Sequence, residues 1–237
     1  MVTGLPEDNG RNTEIIDLEN PSYNCEKIKP FPINLYGATG GLVFQKPMVC
    51  GGSTIDIQDK SKACFTLQEN GEWKEESVVL DEARSFAAIG SVIMNDKLVM
   101  AGGRGLGYGT SFSSIELVSL NSSTTLPMEL PVKLYGHCMV KWDENTFLII
   151  GGYAPFNGGG YRQDTYFVHL NNDTVTNGPS LQNGRHDHAC HEMTLNDQEY
   201  IVVTGGGLYS TEILSKSSYK NGWKLGKNHK KNNEKII

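Results

Sequence analysis

The sequence predicts an all-β repeat protein made of four-stranded antiparallel units, and three observations predict it. First, a short apolar run ends in a glycine doublet four times: at Gly51-Gly52, Gly102-Gly103, Gly151-Gly152 and Gly205-Gly206. The first glycines stand 51, 49 and 54 residues apart, and self-similarity at such a period marks stacked repeat architectures. Second, the β-branched and aromatic stretches between the doublets are punctuated by Asn, Asp and Gly turns. No segment shows a 3.6-residue apolar period, so almost no helix is expected. Third, 27 glycines among 237 residues exceed the usual share of about 7%.

Each element follows in order. Residues 1–30 read as a degenerate partial unit, because Val2-Thr3-Gly4 mirrors Val203-Thr204-Gly205 and Thr13-Glu14-Ile15-Ile16 resembles Thr211-Glu212-Ile213-Leu214. Four full units are expected at 33–80, 84–130, 134–180 and 185–226, followed by a polar tail, 227–237. In the third unit, Tyr135 to Trp142 reads as the first strand and Thr146 to Ile150 as the second. Asp164 to Leu170 is the third, and the fourth begins at Thr174. A continuous apolar second strand suits a strand covered on both faces, as in sheets stacked about an axis. A glycine doublet at its end lets neighbouring backbones approach where side chains would collide.

Composition narrows the function. A hydrophobic share of 38% rules out wholesale disorder. A net charge of −6 argues against nucleic-acid binding, which calls for a basic stripe. No apolar run approaches the ~20 residues of a membrane helix. Met1 to Glu7 has neither the basic nor the apolar region of a secretory signal.

These repeats resemble the kelch-repeat family of β-propellers, and the resemblance covers residues 1–226. Trp73 and Trp223 sit where the family often has its fourth-strand tryptophan, Arg84 and Arg185 where it has a first-strand arginine, and His137 and His188 at a common histidine. The middle units lack the tryptophan, so no subfamily follows. The resemblance implies a kelch-type propeller of four-stranded blades, about four and a half of them present. Such propellers usually close with six or seven, so a piece of a longer propeller is expected.

The candidate chemistry is sparse. His186 and His188 stand at i and i+2 and could share a metal, but no third ligand stands at a set spacing. The glycine-rich run 102–109 has no GxGxxG register and no following helix, so it is not a phosphate loop. No nucleophile elbow is present, nor the Tyr/His/Cys set of a copper radical oxidase. No catalytic residue, metal or cofactor is therefore expected.

Of the five cysteines, Cys50 and Cys64 fall on neighbouring strands of one unit and form a candidate disulfide. Cys138 and Cys190 hold similar first-strand positions of adjacent units, a separation expected to be too large for a bond, and Cys25 has no evident partner. The sequons at Asn121 and Asn172 fall in exposed turns and are candidate glycosylation sites. Cysteines and sequons together point outside the cell, with the cytoplasm as the alternative.

The loops after the doublets vary in length, as binding loops of repeat folds do. They carry Arg104, Tyr108, Phe112, Tyr153, Phe156, Tyr161, Arg162 and Tyr209, residue types enriched at interface hot spots. The expected function is a non-catalytic module binding another protein, without nucleic acid or membrane insertion. The family resemblance leaves two alternatives: an intracellular adaptor or actin-associated protein, or an enzyme or carbohydrate-binding propeller with an axial site.

Overall fold

The computed structural model describes Arg11, Thr13 and residues 28–54, 60–88, 90–107, 109–155 and 159–226. The partial unit before residue 28, including Cys25, and the tail 227–237 lie outside the described residues, apart from Arg11 and Thr13. The protein is all-β: no α-helix occurs among the described residues, only a 3-10 turn at Tyr219–Asn221. None of those residues forms a helix long and apolar enough to cross a membrane.

Twenty strands occur in chain order among the described residues. A short strand β1 (Leu35–Tyr36) pairs with β4 (Ser53–Thr54). Sheet 1 is β2 (Thr39–Val43), β3 (Lys46–Cys50), β5 (Ala63–Leu67) and β6 (Trp73–Val79). Sheet 2 is β7 (Ile93–Met94), β8 (Lys97–Ala101), β9 (Ser114–Val118) and β10 (Ser123–Glu129). Sheet 3 is β11 (Cys138–Lys141), β12 (Thr146–Ile150), β15 (Thr165–His169) and β16 (Thr174–Asn177). A ribbon of β13 (Tyr153–Ala154) and β14 (Gly160–Tyr161) rises from its central loop. Sheet 4 is β17 (His188–Leu195), β18 (Gln198–Gly205), β19 (Thr211–Ser215) and β20 (Lys224–Leu225). Each four-stranded sheet is an antiparallel meander in sequence order.

The first strand of sheet 3 is shorter than its sequence suggests. Gly136 takes φ +61°, which breaks the extended run, and Tyr135 instead bridges Tyr153.

The sheets stack face to face in chain order. Leu98 and Met100 of β8 join a core with Met48 and Cys50 of sheet 1, whereas Val99 and Ala101 join one with Phe147 and Ile149 of sheet 3. Leu148 and Ile150 then pack with Ile201 and Val203 of sheet 4. Period-two alternation between two covered faces makes residues 147–150 of β12 apolar throughout. Phe31 and Leu35 cap the far side of sheet 1 over Phe65 and Trp73. The far side of sheet 4 is open among the described residues, and Met193 and Leu195 are exposed there.

The glycine doublets sit where consecutive sheets touch. The second glycine donates its N–H to the residue that opens the next unit: Gly52 to the Arg84 carbonyl at 2.8 Å, Gly103 to Leu134 at 2.7 Å and Gly152 to Arg185 at 2.8 Å. At Gly102 (φ +57°) a Cβ would stand 2.4 Å from the Leu134 carbonyl oxygen, so only glycine permits the approach. A Cβ on Gly205 would meet nothing within 4 Å, because no further described unit follows.

Two disulfides are formed among the described residues. Cys50 and Cys64 face each other in register, with S–S 2.06 Å. Cys138 and Cys190 are also bonded, at 1.99 Å, which overturns the expectation that they lie too far apart. Cys138 pairs with Ile150 on the face toward sheet 4, and Cys190 pairs with Val203 on the face toward sheet 3. Their Cα atoms are 5.9 Å apart, well inside the ~10 Å that separates stacked sheets, because first strands approach more closely than sheet centres. The bonds span 52 and 14 residues. Chain entropy then assigns about 4 kcal/mol to Cys138–Cys190 and about 3 to Cys50–Cys64. A C138A/C190A variant is expected to lose more stability than C50A/C64A; urea midpoints of the two variants compare them directly.

Candidate functional site

The four unit starts meet at the glycine-doublet end of the sheets. A chain of backbone hydrogen bonds crosses them. Phe86 N–H donates to the Gly37 carbonyl (2.7 Å), Gly136 N–H to Phe86 (3.0 Å) and Asp187 N–H to Gly136 (2.8 Å). All four residues adopt positive φ, between +49° and +63°. Phe86 and Asp187 pay for that left-handed backbone with strain, offset by the inter-unit bonds they complete.

Beneath this rim, two buried ion pairs repeat. Arg84 Nη2 donates to Glu116 Oε1 and Arg185 Nη2 to Glu212 Oε1, each at 2.7 Å, and all four side chains are fully buried. Arg84 also donates to the Gly102 and Ser114 carbonyls, and Arg185 to those of Gly205 and Ser210. Burial lowers the Arg84 pKa, and Glu116 pulls it back up. Each carboxylate accepts two backbone N–H groups: Asp81 and Glu82 for Glu116, Gln182 and Asn183 for Glu212. These arginines are structural. Sheets 1 and 3 place Leu35 with Phe65 and Leu134 with Tyr166 at the corresponding positions.

An aromatic cluster stands on the rim over sheets 3 and 4. The Tyr153 ring lies 5.3 Å from Tyr135, 5.9 Å from Tyr161 and 6.0 Å from His186. Tyr161 stacks on His186 at 4.5 Å and an interplanar angle of 12°, and is 60% exposed. His186 Nε2 is 3.4 Å from Asp187 Oδ2. Arg162 Nε donates to Asp164 Oδ2 at 2.7 Å, and Arg162 also lines an open cleft of ≈ 750 Å³ with Lys133, Glu129 and Pro131. A smaller pair, Tyr36 with Phe86 at 6.0 Å, lies over sheets 1 and 2, with Lys60 Nζ 6.0 Å from the Tyr36 centroid.

The predicted binding residues divide accordingly. Tyr153 and Tyr161 come together, and Arg162 follows Tyr161 in the chain and lines the neighbouring cleft. Arg104 bridges Ser85 and Ser111, and Phe112 lies under the Arg84 guanidinium at 4.9 Å, so both serve the fold of their own loop. Tyr209 is fully exposed and stands apart beside Leu225. Tyr108 and Phe156 lie outside the described residues. Reading the loops alone missed Tyr135, His186 and Asp187, which belong to unit starts. The repeated Leu-Tyr-Gly at 35–37 and 134–136 is the signal that could have found Tyr135.

The histidine cluster disperses. His186 faces the rim, His188 is buried, and His191 lies on the open face of sheet 4. No group of three or more metal-ligating side chains occurs among the described residues. Asn121 and Asn172 are both exposed, in the β9–β10 and β15–β16 turns. No family model and no curated protein matches this chain, so its function is read from the geometry alone.

Proposed function

We propose that this chain is a run of kelch-type propeller blades acting as a protein-interaction module in an oxidising compartment. Its partner docks on the rim at the glycine-doublet end. The observation that carries the reading is the patch of Tyr135, Tyr153, Tyr161 and His186, with Arg162 at the edge of a cleft. Aromatic rings and arginine supply most interface energy, and these side chains stand on loops outside the cores that join the sheets. The two disulfides support the compartment, since such bonds persist outside the reducing cytosol.

The test is affinity capture with wild-type protein and a Tyr161→Ala/Arg162→Ala variant. The expected result is one partner whose binding weakens at least tenfold in the variant while the thermal midpoint stays unchanged. Equal capture by both proteins removes the rim from the reading. Five free thiols in protein from its native source remove the oxidising compartment.

A further inference from the structure

We propose that the opposite end of the molecule carries a saccharide-binding cleft between sheets 3 and 4. The cleft has a volume of ≈ 730 Å³, inside the ~300–1,000 Å³ range of small-ligand sites. Its floor is aromatic. Trp142 meets Phe167 at 4.9 Å and Tyr219 at 5.5 Å, all edge to face. Lys216 stands 5.4 Å from the Trp142 ring centroid and is itself held by Glu192 and Glu199. The indole is therefore a fixed, half-buried platform within the cleft.

The walls are polar and planar. Asp143 and Asn145 come from the β11–β12 turn, and Asn171 from the β15–β16 turn. His169 is locked between Thr146 (3.3 Å) and Thr176 (2.9 Å). A sugar ring offers an apolar C–H face to a rigid indole and a circle of hydroxyls to carboxylate and amide side chains. A small number of placed polar groups sets orientation and specificity in small-ligand pockets.

Charge narrows the class further. The lining includes Asp143 and Glu144 but no lysine or arginine; Lys141 pairs with Glu144 at 2.9 Å, which leaves the Asp143 carboxylate to disfavour anionic sugars, and a neutral saccharide fits. Two sources share this chemistry. Asn171 in the wall adjoins Asn172, an exposed sequon residue whose Oδ1 accepts the Thr174 hydroxyl at 2.7 Å. A glycan on Asn172 would start at the edge of the cleft. The alternative source is a saccharide on another molecule. Neither source depends on the rim reading above.

The experiment is a titration of the full chain carrying Asn172→Gln with N,N′-diacetylchitobiose, cellobiose and glucuronic acid. Binding is followed through the indole N–H resonances of Trp73, Trp142 and Trp223, with Trp142→Phe assigning the middle one. The expected result is a saturable shift of the Trp142 resonance alone with at least one neutral disaccharide, and none with glucuronic acid. Asn171→Ala and Asp143→Asn, the latter keeping the acceptor for the Asn145 N–H, are expected to weaken it about tenfold with unchanged thermal midpoints. In glycosylated wild-type protein, a Trp142 resonance already displaced and refractory to added sugar assigns the cleft to the Asn172 glycan. A resonance that titrates as in the variant assigns it to an external saccharide. The proposal is overturned if neither disaccharide shifts Trp142 and glycosylation leaves it unmoved, or if all three indoles shift alike.

Discussion

Replacing Glu116 with alanine is expected to destabilise the protein by about 3–5 kcal/mol, because it leaves Arg84 buried without its counter-charge. The same substitution at Glu212 should act alike, since Arg185 and Glu212 repeat the arrangement at full burial. The loss is compounded, because the Asp81 and Glu82 N–H groups give up the acceptor they share.

The molecule contains its own control. Where sheets 1 and 3 lack the carboxylate, Pro32 and Pro131 stand in place of Asp81 and Gln182, so the donor that the glutamate satisfies is removed along with it. Transplanting the apolar version into sheet 2 as R84L/E116Y is therefore expected to recover most of the loss, and adding D81P about 1 kcal/mol more. Urea unfolding at pH 7 measures all three. A loss under about 1 kcal/mol for E116A would mean that Arg84 reaches water in the variant and that the pair adds little to stability.

Acid is expected to unfold the protein through two histidines. His137 and His188 are 0% and 1% exposed. Burial, reinforced by His188, pushes His137 down to about 3. Burial, then Arg185 and His186, pushes His188 down to about 4, opposed by the Ile150 backbone. Both are neutral in the folded protein, whereas the unfolded chain takes up protons near pH 6.5. Their contribution is thus complete above about pH 6.5 and is lost as pH falls toward the folded-state values. Between pH 6.5 and 4.5 the loss from the pair is roughly 5 kcal/mol, comparable to the whole stability of many domains. Unfolding midpoints measured from pH 7.5 to 4.5 should fall steeply in wild-type protein and much less in H137A/H188A. Sheets 1 and 2 hold Ala38 and Ala87 at that position, so the variant has a precedent within the chain. Parallel slopes would assign the acid sensitivity to the carboxylates.

Much of the fold was legible in the sequence because it is written in short-range terms. The period of the glycine doublets, the turn residues and the uninterrupted apolar run of β12 each reflect local conformation or two-sided burial. The Cys50–Cys64 bond was legible for the same reason: both residues lie on adjacent strands of one hairpin-like unit, so counting along the chain brings them together. The candidate site was legible only in part. Tyr153, Tyr161 and Arg162 share one loop, and the sequence groups them. Tyr135 and His186 come from the starts of two units and join them only after the sheets stack.

An all-β chain of repeated four-stranded sheets, with glycine at the points of closest approach, could be read along the chain, because strand periodicity and left-handed backbone are properties of neighbouring residues. The tertiary structure alone decided which side chains meet between sheets. The bond from Cys138 to Cys190, the burial of the Arg–Glu pairs, the isolation of His137 and His188 from water and the gathering of aromatic rings on the rim all depend on the angle and spacing at which one sheet leans on the next. That geometry is set by the summed packing of many side chains across each interface, and no single stretch of sequence encodes it.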